Sequence, residues 1–575
     1  MALASVLARG FMSRASGDPK GRPLTLFCVV LLTLLICSAL AAATYYINYW
    51  PSDSQNPYVP TAAKLFQLHY ISDIHNLPLP GILRINMHGK EALILGIAIM
   101  QKILRDPVSL YPNVLLLITA VGICAILIYL IVSRLLDASI GLIVYLFFIF
   151  CFWPYIYVLL GAHQPLSLMN FLFAVFFLLS AAGRRFLYFL SGAFLALMLF
   201  SSPTAPLYLP YYLGFLICQA LNSQGPKKLS QKSSFDILFI LSGFLIVFLL
   251  FTLPDPWQSV KDFLRFVHFS QHNNNFAIYH IYLERFFPLS IDFRGAGWLW
   301  ILKYFFLIMP VLFTLYWLSA IYLLKIAPQK KYIFLIFILS VSTPCLVEII
   351  KVVQFGRNYF PSIVGILGLI GFSLYEIKHR LATRLGKRIF WIGITSILAL
   401  HISFNLSMFL NDIYPSRTVT THIYNWCRKN NIDQLFVYYE HPLKKNLVQF
   451  FNNPKYKTKM KFFGIHHIAE ASDGYILIPP ITGKTSYVEC RYDNFAEDPY
   501  ATELFLSGNF QKYVVASFKT AAASRIWNME EEICAYRDLI LGQVSPEDRK
   551  KGYAYILDAK KLHTEWFSRK TLPEK

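Results

Sequence analysis

Charged residues are scarce in this sequence of 575 residues, of which only 15% are Asp, Glu, Lys or Arg. A soluble globular protein has about a quarter of its residues charged. Hydrophobic residues make up 56% of the chain and fall into blocks. Each block has roughly the 17–25 residues that a helix needs to cross a bilayer. The composition therefore excludes an ordinary soluble fold and predicts a mainly α-helical, polytopic membrane protein.

Acidic residues are the scarcer charge, with 32 Asp and Glu against 53 Lys and Arg. The excess of positive charge does not indicate a nucleic-acid partner, because most of it lies in short turns between hydrophobic blocks. Such turns are typical of the cytoplasmic side of a membrane protein. We predict eleven transmembrane helices, near 24–44, 112–133, 139–160, 165–182, 186–202, 206–221, 235–254, 297–325, 332–350, 361–376 and 389–410.

The positions of the basic turns predict the topology. Residues 1–23 form a basic N-terminus, which we place in the cytoplasm, and residues 24–410 form the transmembrane domain. The two long loops, 45–111 and 255–296, then fall outside, with an amphipathic interfacial helix at Glu91–Arg105. An odd number of spans also places residues 411–575 outside. Without an endoplasmic-reticulum retention signal, we expect a bacterial inner membrane.

Residues 411–575 have a different pattern, that of a small α/β domain. Short β-rich segments occur at Gln434–Tyr439, Gly474–Ile478, Tyr513–Phe518 and Tyr553–Leu557. They alternate with helix-like stretches near 419–429, 441–451, 499–507 and 529–540. The sequence therefore predicts an extracytoplasmic α/β domain after the last span.

The sequence also lacks nucleotide and metal motifs. It contains no CxxC pair, no Cys/His metal spacing, and no glycine-rich phosphate loop following a strand. A zinc site and a cytoplasmic site for ATP or a nucleotide sugar are thereby disfavoured. We expect any chemistry to lie at the outer face, where the long loops and the soluble domain meet.

Asp53 is a candidate general base, because it is the first acid after the first span. A carboxylate shielded near a membrane surface can have a raised pKa and accept a proton from a hydroxyl. Asp53 could equally be a solvated loop acid. The same loop contains competing candidates, namely Asp73, His75, His88 and Glu91.

Arg357 is a candidate phosphate ligand in a short outer turn between two spans. Its planar guanidinium matches the oxygens of a lipid phosphate. The alternative is an interfacial arginine that anchors the end of a helix.

Further polar side chains could bind a carbohydrate. The loop 255–296 carries His268, His272 and several amides among aromatic residues, and His163-Gln164 could join the same cavity. A wet polar loop has a similar composition, so both interpretations stay open.

Together these features resemble the GT-C superfamily of membrane glycosyltransferases, in particular the group of protein O-mannosyltransferases and bacterial aminoarabinose transferases. Asp53 follows the first span, a long outer loop with an amphipathic helix leads to Pro112, and His163-Gln164 is a polar turn. Arg357-Asn358-Tyr359-Phe360-Pro361 resembles the R-x-Y-x-x-P pattern before a late span. Many members have two adjacent acids after the first helix, whereas this chain has one.

The resemblance implies transfer of a sugar from a polyprenyl-phosphate donor to the hydroxyl of a glycan, lipid or protein acceptor, with inversion. Asp53 would deprotonate the acceptor, and Arg357 with Tyr359 would bind the donor phosphate. Some relatives use a divalent cation, for which this sequence establishes no site. The single acid favours an alternative, a non-catalytic scaffold or lipid-binding subunit. A transporter is a third possibility, disfavoured because charges within the spans are few and no internal repeat is evident.

Overall fold

The structure is a computed structural model with a helical membrane domain followed by a small mixed sheet. It describes residues 21–45, 58–66, 90–107, 109–181, 184–202, 204–223, 232–252, 304–326, 359–381, 383–417, 419–438, 460–478, 499–519 and 553–568.

Helices occupy ten of the eleven predicted hydrophobic blocks, and the block 332–350 lies outside the described residues. The count of eleven spans therefore stays a prediction. The helices are α1 (Gly21–Ala43), α2 (Tyr58–Phe66), α3 (Glu91–Leu104), α4 (Tyr111–Leu135), α5 (Ala138–Ile149), α6 (Trp153–Leu160), α7 (Gln164–Ser180), α8 (Arg185–Leu199), α9 (Leu209–Ser223), α10 (Lys232–Thr252), α11 (Pro310–Ile326), α12 (Ser362–Arg380) and α13 (Arg384–Met408). A 3-10 turn, Ala205–Tyr208, precedes α9.

Length and hydropathy identify spans directly. Four described stretches are long and apolar enough to cross a membrane: Leu24–Ala43, Tyr111–Leu135, Ser362–Arg380 and Arg384–Asn411. The pair α5 and α6 makes a fifth if this bent pair is one span. Large apolar side chains of α1, α10 and α13 remain exposed on the outside of the bundle, as a lipid environment allows. The chain is an integral membrane protein.

The helix ends follow from local sequence. Asp137 begins α5 by accepting a hydrogen bond from the Ile140 amide, and Thr383 begins α13 by accepting one from the Gly386 amide. Proline occupies the first or second position of α4, α6 and α7, where its missing N–H is not needed. Gly161 ends α6 with φ of 65°, a conformation that favours glycine.

The span formed by α5 and α6 is bent by 44°. A bend leaves backbone groups without the partners that a continuous helix would provide. Two of the backbone groups that flank this bend form contacts with side chains of α13. The Asn405 Oδ1 accepts a hydrogen bond from the Phe152 amide at 2.9 Å, and the His401 Nε2 lies 3.0 Å from the Phe147 carbonyl oxygen. The Asn405 amide also donates to the His401 carbonyl oxygen at 2.7 Å. These contacts fix α6, and with it the turn that follows, against α13.

The basic turns lie at one end of the bundle, which we call the basic face. Arg134 at the end of α4 donates to the Ser180 hydroxyl at the end of α7, at 3.0 Å. Lys378 at the end of α12 forms an ion pair with Asp137, at 2.9 Å. The described parts of three turns that the sequence assigned to one side of the membrane, between α4 and α5, after α7 and between α12 and α13, are therefore together in space.

The other helix ends form the opposite face, which we call the polar face. The Tyr414 hydroxyl donates to the Ala43 carbonyl oxygen at 2.6 Å, which joins the chain after α13 to the end of α1. The Asn113 amide at the start of α4 donates to the Gly161 carbonyl oxygen at 3.0 Å. The Tyr211 hydroxyl of α9 donates to the Pro361 carbonyl oxygen just before α12, at 2.8 Å.

The helices α8 and α10 approach so closely that glycine is required at both contact points. A Cβ atom at Gly192 would lie 1.8 Å from the Ile240 carbonyl oxygen, and one at Gly243 would lie 1.9 Å from the Phe189 carbonyl oxygen. Small residues at helix contacts are typical of membrane bundles, where dispersion contacts replace the hydrophobic effect.

The C-terminal domain contains a five-stranded mixed sheet with strand order β2-β1-β3-β5-β4. The strands are β1 (Gln434–Tyr438), β2 (Lys461–Ile465), β3 (Tyr475–Ile478), β4 (Val514–Lys519) and β5 (Tyr553–Asp558). The strand β1 pairs in parallel with β2 and β3, whereas β5 is antiparallel to β3 and β4. Helices occupy Val419–Lys429 and Pro499–Leu506, and the predicted helices near 441–451 and 529–540 lie outside the described residues.

Candidate substrate site

Three of the seven candidate site residues can be located. His163, Gln164 and Tyr359 are described, and all three lie at the polar face. Asp53, Arg357, His268 and His272 lie outside the described residues, as do the competing candidates Asp73, His75 and His88. Their roles stay predictions.

His163 and Gln164 form a buried turn between α6 and α7. They are 7% and 1% exposed. The left-handed Gly161 reverses the chain, and the Ala162 amide donates back to the Tyr157 carbonyl oxygen at 2.9 Å. The Asn113 amide holds the same turn through the Gly161 carbonyl oxygen. Both side chains are therefore inside the bundle rather than on a solvated loop.

The first turn of α7 buries polar atoms that have no hydrogen-bond partner in the described part of the chain. These are both side-chain atoms of Gln164, Oε1 and Nε2, and the hydroxyl of Ser167. The two residues are three positions apart and hence share one face of the helix. A buried polar group without a partner costs about 1–3 kcal/mol. Three such atoms on one helical turn indicate that a ligand or ordered water supplies the missing partners.

Two more unpartnered hydroxyls belong to segments that contact this face of α7. The Tyr208 ring stacks on the Phe171 ring, one turn beyond Ser167, with centroids 4.9 Å apart. The Phe171 ring also contacts Tyr211, which donates to the Pro361 carbonyl oxygen immediately before Ser362. The hydroxyls of Tyr208 and Ser362 are buried and without a partner.

We define Gln164, Ser167, Tyr208 and Ser362 as the buried polar cluster. It contains one amide, which both donates and accepts, and three hydroxyls, which do the same. None of its side chains is charged at neutral pH. A neutral ligand with several hydroxyls fits this set of donors and acceptors, whereas an isolated anion would lack a compensating charge there.

A buried acid lies at the same face of the bundle. Within the described ranges, Glu91 is the buried carboxylate of the chain, and Lys90 beside it is also buried. The Ala92 amide donates to the Phe200 carbonyl oxygen at 2.8 Å, which fixes the start of α3 at the end of α8. The next residue, Ser201, accepts a hydrogen bond from the Asn170 amide of α7 at 2.8 Å. Glu91, a competitor of Asp53 in the sequence, is thus held at these helix ends.

Tyr359 belongs to a fully buried aromatic group. Its ring centroid lies 5.5 Å from that of Tyr304 and 5.8 Å from that of Phe305. The Trp153 indole donates to the hydroxyls of Tyr304 and Tyr157, at 3.0 and 2.9 Å. Phe360 lies against the same indole, with centroids 5.2 Å apart. This packing fixes the chain at Tyr359, immediately before α12, and connects it to α6.

The sequence did not identify Ser167, Tyr208 or Ser362 as candidates. A serine in an apolar helix usually donates to a carbonyl oxygen of its own helix, as Ser242 does to the Leu238 carbonyl oxygen at 2.8 Å. The available signal was the position of Ser167 three residues after Gln164 near the end of a span. No group of three or more His, Cys, Asp or Glu side chains able to hold a metal occurs among the described residues.

The polar and basic faces, the helical bundle and the C-terminal mixed sheet define a polytopic membrane protein with an appended α/β domain. No family model matches the sequence, and no curated protein matches it. Solved structures do match. One is the archaeal oligosaccharyltransferase AglB from Archaeoglobus fulgidus in complex with an inhibitory peptide and a dolichol-phosphate, with a TM-score of 0.42 and 9% identity, covering 85% of this chain and 72% of that one.

Two further matches are structures of ArnT from Cupriavidus metallidurans. The structure bound to undecaprenyl phosphate gives a TM-score of 0.45 and 11% identity, covering 85% of this chain and 96% of that one. The apo structure gives a TM-score of 0.39 and 11% identity, covering 84% and 96%. The resemblance that the sequence shows to GT-C membrane glycosyltransferases points to the same superfamily as these structures. At TM-scores below 0.5, the roles of individual residues rest on the contacts of this chain alone.

Proposed function

We propose that this protein transfers a sugar from a polyprenyl-phosphate-linked donor to an acceptor hydroxyl at the extracytoplasmic face, with inversion of the anomeric centre. The observation that carries this proposal is the buried polar cluster. Its amide and hydroxyl atoms have no hydrogen-bond partner among the described residues, and a sugar offers several hydroxyls that both donate and accept. The ring contacts of Tyr208 add an aromatic surface beside the cluster.

The location of the cluster supports the proposed side of the membrane. Short basic turns mark the cytoplasmic side of membrane proteins. Since Arg134, Lys378 and the start of α13 gather at the basic face, we assign that face to the cytoplasm. The cluster lies at the opposite helix ends, and hence at the extracytoplasmic surface. A donor carried by a membrane lipid can reach that surface, whereas a cytoplasmic nucleotide sugar cannot.

The proposed roles follow from charge. The neutral cluster would bind the sugar hydroxyls, and the adjoining His163 would belong to the same pocket. Arg357, two residues before Tyr359 in the sequence, would bind the lipid phosphate, and Asp53 would deprotonate the acceptor. Glu91 is the second candidate for the base, because it is a buried carboxylate at the same face.

The binding test compares two serines of one helix. Ser362 and Ser373 both lie buried on α12, but the Ser373 hydroxyl donates to the Ser319 carbonyl oxygen, whereas that of Ser362 has no partner. We expect Ser362→Ala to weaken binding of radiolabelled polyprenyl-phosphate hexoses by roughly 2- to 10-fold, the value of one hydrogen bond. Ser373→Ala is the matched control and should leave donor binding unchanged.

Gln164→Met gives the same test a second readout. Methionine has a similar shape but no donor or acceptor, so donor affinity should fall further, by about 10- to 100-fold for two lost hydrogen bonds. Without donor, this variant should melt at a higher temperature, because removing an unpartnered buried amide relieves about 1–3 kcal/mol. Unchanged donor binding in both Ser362→Ala and Gln164→Met would refute the proposed role of the cluster.

Catalysis is tested separately from binding. In a purified transfer assay, Asp53→Asn should lower the rate by about 10²–10⁴-fold while donor binding persists, as for loss of a general base. Full activity of that variant would move the role to Glu91. A wild-type protein that binds donor but transfers no sugar to any acceptor would instead support the scaffold alternative.

A further inference from the structure

A cleft opens on the basic face between the end of α12 and the start of α13. It is lined by Lys378, His379, Leu381, Lys387, Phe390 and Trp391. The turn beside it joins two of the four candidate spans, Ser362–Arg380 and Arg384–Asn411. The cleft therefore lies at the depth of the lipid headgroups, on the side of the membrane opposite the buried polar cluster.

Ion pairing fixes one wall of the cleft. The Lys378 ammonium donates to the Asp137 carboxylate at 2.9 Å and to the Ser139 hydroxyl at 2.7 Å. The same carboxylate lies 3.8 Å from the His379 Nε2. One acid thus orients two basic side chains, and Lys378 retains a donor for a further acceptor because an ammonium has three.

The other wall carries positive charge that the protein does not neutralise. Lys387 is exposed and forms no ion pair among the described residues, and the same is true of Arg384 and Arg388 in this part of the chain. These three residues are spaced three and four positions apart, so they crowd one face of α13 and repel each other. An anion in the cleft would relieve this repulsion.

The inner end of the cleft is aromatic. Trp391 lies one helical turn after Lys387, a rise of about 6 Å along α13 toward the membrane interior. It is 40% exposed, and Phe390 beside it is partly buried. Tryptophan favours the interface between headgroups and acyl chains. The side chains that line the cleft therefore change from cationic to aromatic. This change occurs over about the distance that separates the phosphate of a phospholipid from its first acyl carbons.

We propose that this cleft binds the headgroup of an anionic phospholipid from the leaflet at the basic face. Lys378 and Lys387 contact the phosphate, and Phe390 and Trp391 pack against the glycerol and the first methylene groups. The site is separate from the donor site and does not depend on the proposed glycosyl transfer. It holds a resident membrane lipid at the junction of α12, α13 and the turn before α5.

Binding is measured on the full-length protein by native mass spectrometry, with phosphatidylglycerol or phosphatidylcholine added to detergent micelles. Wild-type protein should retain phosphatidylglycerol in preference to phosphatidylcholine, and phosphatidylglycerol should raise its melting temperature by mass action. Lys387→Ala should lower phosphatidylglycerol retention about fivefold, the effect of one cation at a lipid surface. Trp391→Ala should lower retention of both lipids.

The matched control is Lys325→Ala, which removes an exposed cation from the last turn of α11 at the same face but outside the cleft. This variant should keep wild-type retention. An equal loss in Lys325→Ala and Lys387→Ala would overturn the proposal in favour of diffuse attraction to the basic face. Displacement of phosphatidylglycerol by inorganic phosphate at equal concentration would overturn it in favour of a site for free phosphate. Equal retention of the two lipids would also overturn it.

Discussion

Asn405 holds the bent span in place, and its replacement should loosen the part of the structure that carries the candidate site. Its side-chain Oδ1 accepts a hydrogen bond from the Phe152 backbone amide at 2.9 Å, and its Nδ2 donates to the His401 carbonyl oxygen at 2.7 Å. The residue is buried, so neither group can turn to water when the partner is removed. Asn405→Leu leaves the Phe152 N–H buried and unpaired.

The size of the effect follows from these contacts. An unsatisfied buried donor costs about 1–3 kcal/mol, and each lost hydrogen bond contributes about 0.5–1.5 kcal/mol. Part of the lost stability is recovered because leucine replaces a polar side chain in an apolar environment. We expect Asn405→Leu to lower the free energy of unfolding by about 2–3 kcal/mol, a large value for one substitution.

A thermal unfolding assay in detergent measures this change, and Asn411→Leu is the matched control. Asn411 ends the candidate span Arg384–Asn411, but it is exposed, and its side-chain amide donates to the nearby Ser407 hydroxyl at 3.3 Å. Its replacement should change stability by less than about 0.5 kcal/mol.

Cys151 gives a local readout beside the bend, because it is fully buried and directly precedes Phe152. In a background lacking the other cysteines, Asn405→Leu should speed its reaction with a membrane-permeant maleimide. Equal melting temperatures of the Asn405 and Asn411 variants, together with unchanged labelling of Cys151, would refute the role of Asn405.

Two further predictions concern other contacts of the bundle. Gly192→Ala should destabilise the protein, since its Cβ would overlap the Ile240 carbonyl oxygen, whereas Gly368→Ala, with open space around it, should raise the melting temperature through helix propensity. Comparable melting of these two variants would contradict the close approach of α8 and α10. Burial raises the pKa of Asp137, but its hydrogen bonds, led by that from the Ile140 amide, together with Lys378 lower the pKa to a net value below the ordinary one. This carboxylate therefore stabilises the fold above the ordinary aspartate pKa and loses that contribution as the pH falls through its lowered pKa. Asp137→Asn should accordingly lower the melting temperature at neutral pH but have no effect in acid. A destabilisation that is the same at every pH would exclude this linkage.

The helices were predictable because length and hydropathy alone determine a span. The predicted block 186–202 corresponds to α8 and the block 235–254 to α10. The bend in the block 139–160 was not predicted, although Pro154 within this block lacks the N–H that would pair with the carbonyl oxygen four residues earlier. The side chains that pair with the flanking backbone, Asn405 and His401, are about 250 residues away in the sequence. Hydropathy reports the lipid environment of a segment but not the partner that pairs its backbone.

The C-terminal sheet also contains a strand that the sequence pattern does not predict. Four strands were predicted close to their observed bounds, but β2, at Lys461–Ile465, was missed. This strand lies at the edge of the sheet, contains Gly464 and leaves Phe463 exposed, so it lacks the alternation that marks a half-buried strand. Its parallel pairing with β1 comes from tertiary structure.

The composition of the buried polar cluster was only partly predictable from the sequence. His163 and Gln164 were identified as a polar turn at the end of a span, and they do lie at the polar face. Ser362 follows the R-x-Y-x-x-P pattern directly and still gave no signal, because a single serine beside a helix start usually caps that helix. The Tyr211 hydroxyl donates to the Pro361 carbonyl oxygen, and this tertiary contact brings the start of α12 to the segment that carries Tyr208.

The polar groups at one face of the bundle are paired or exposed, whereas several at the other face are buried without partners among the described residues. This difference supports the assignment of the site. At the basic face, charges are paired, as Lys378 is with Asp137, or exposed, as Lys387 is. At the polar face, the amide of Gln164 and the hydroxyl of Ser362 are buried without partners among the described residues, at a cost of about 1–3 kcal/mol for each group. Close packing elsewhere, such as the contact at Gly192, must offset that cost. A ligand rich in hydroxyls recovers it on binding, so the same atoms that weaken the fold can provide affinity for a sugar.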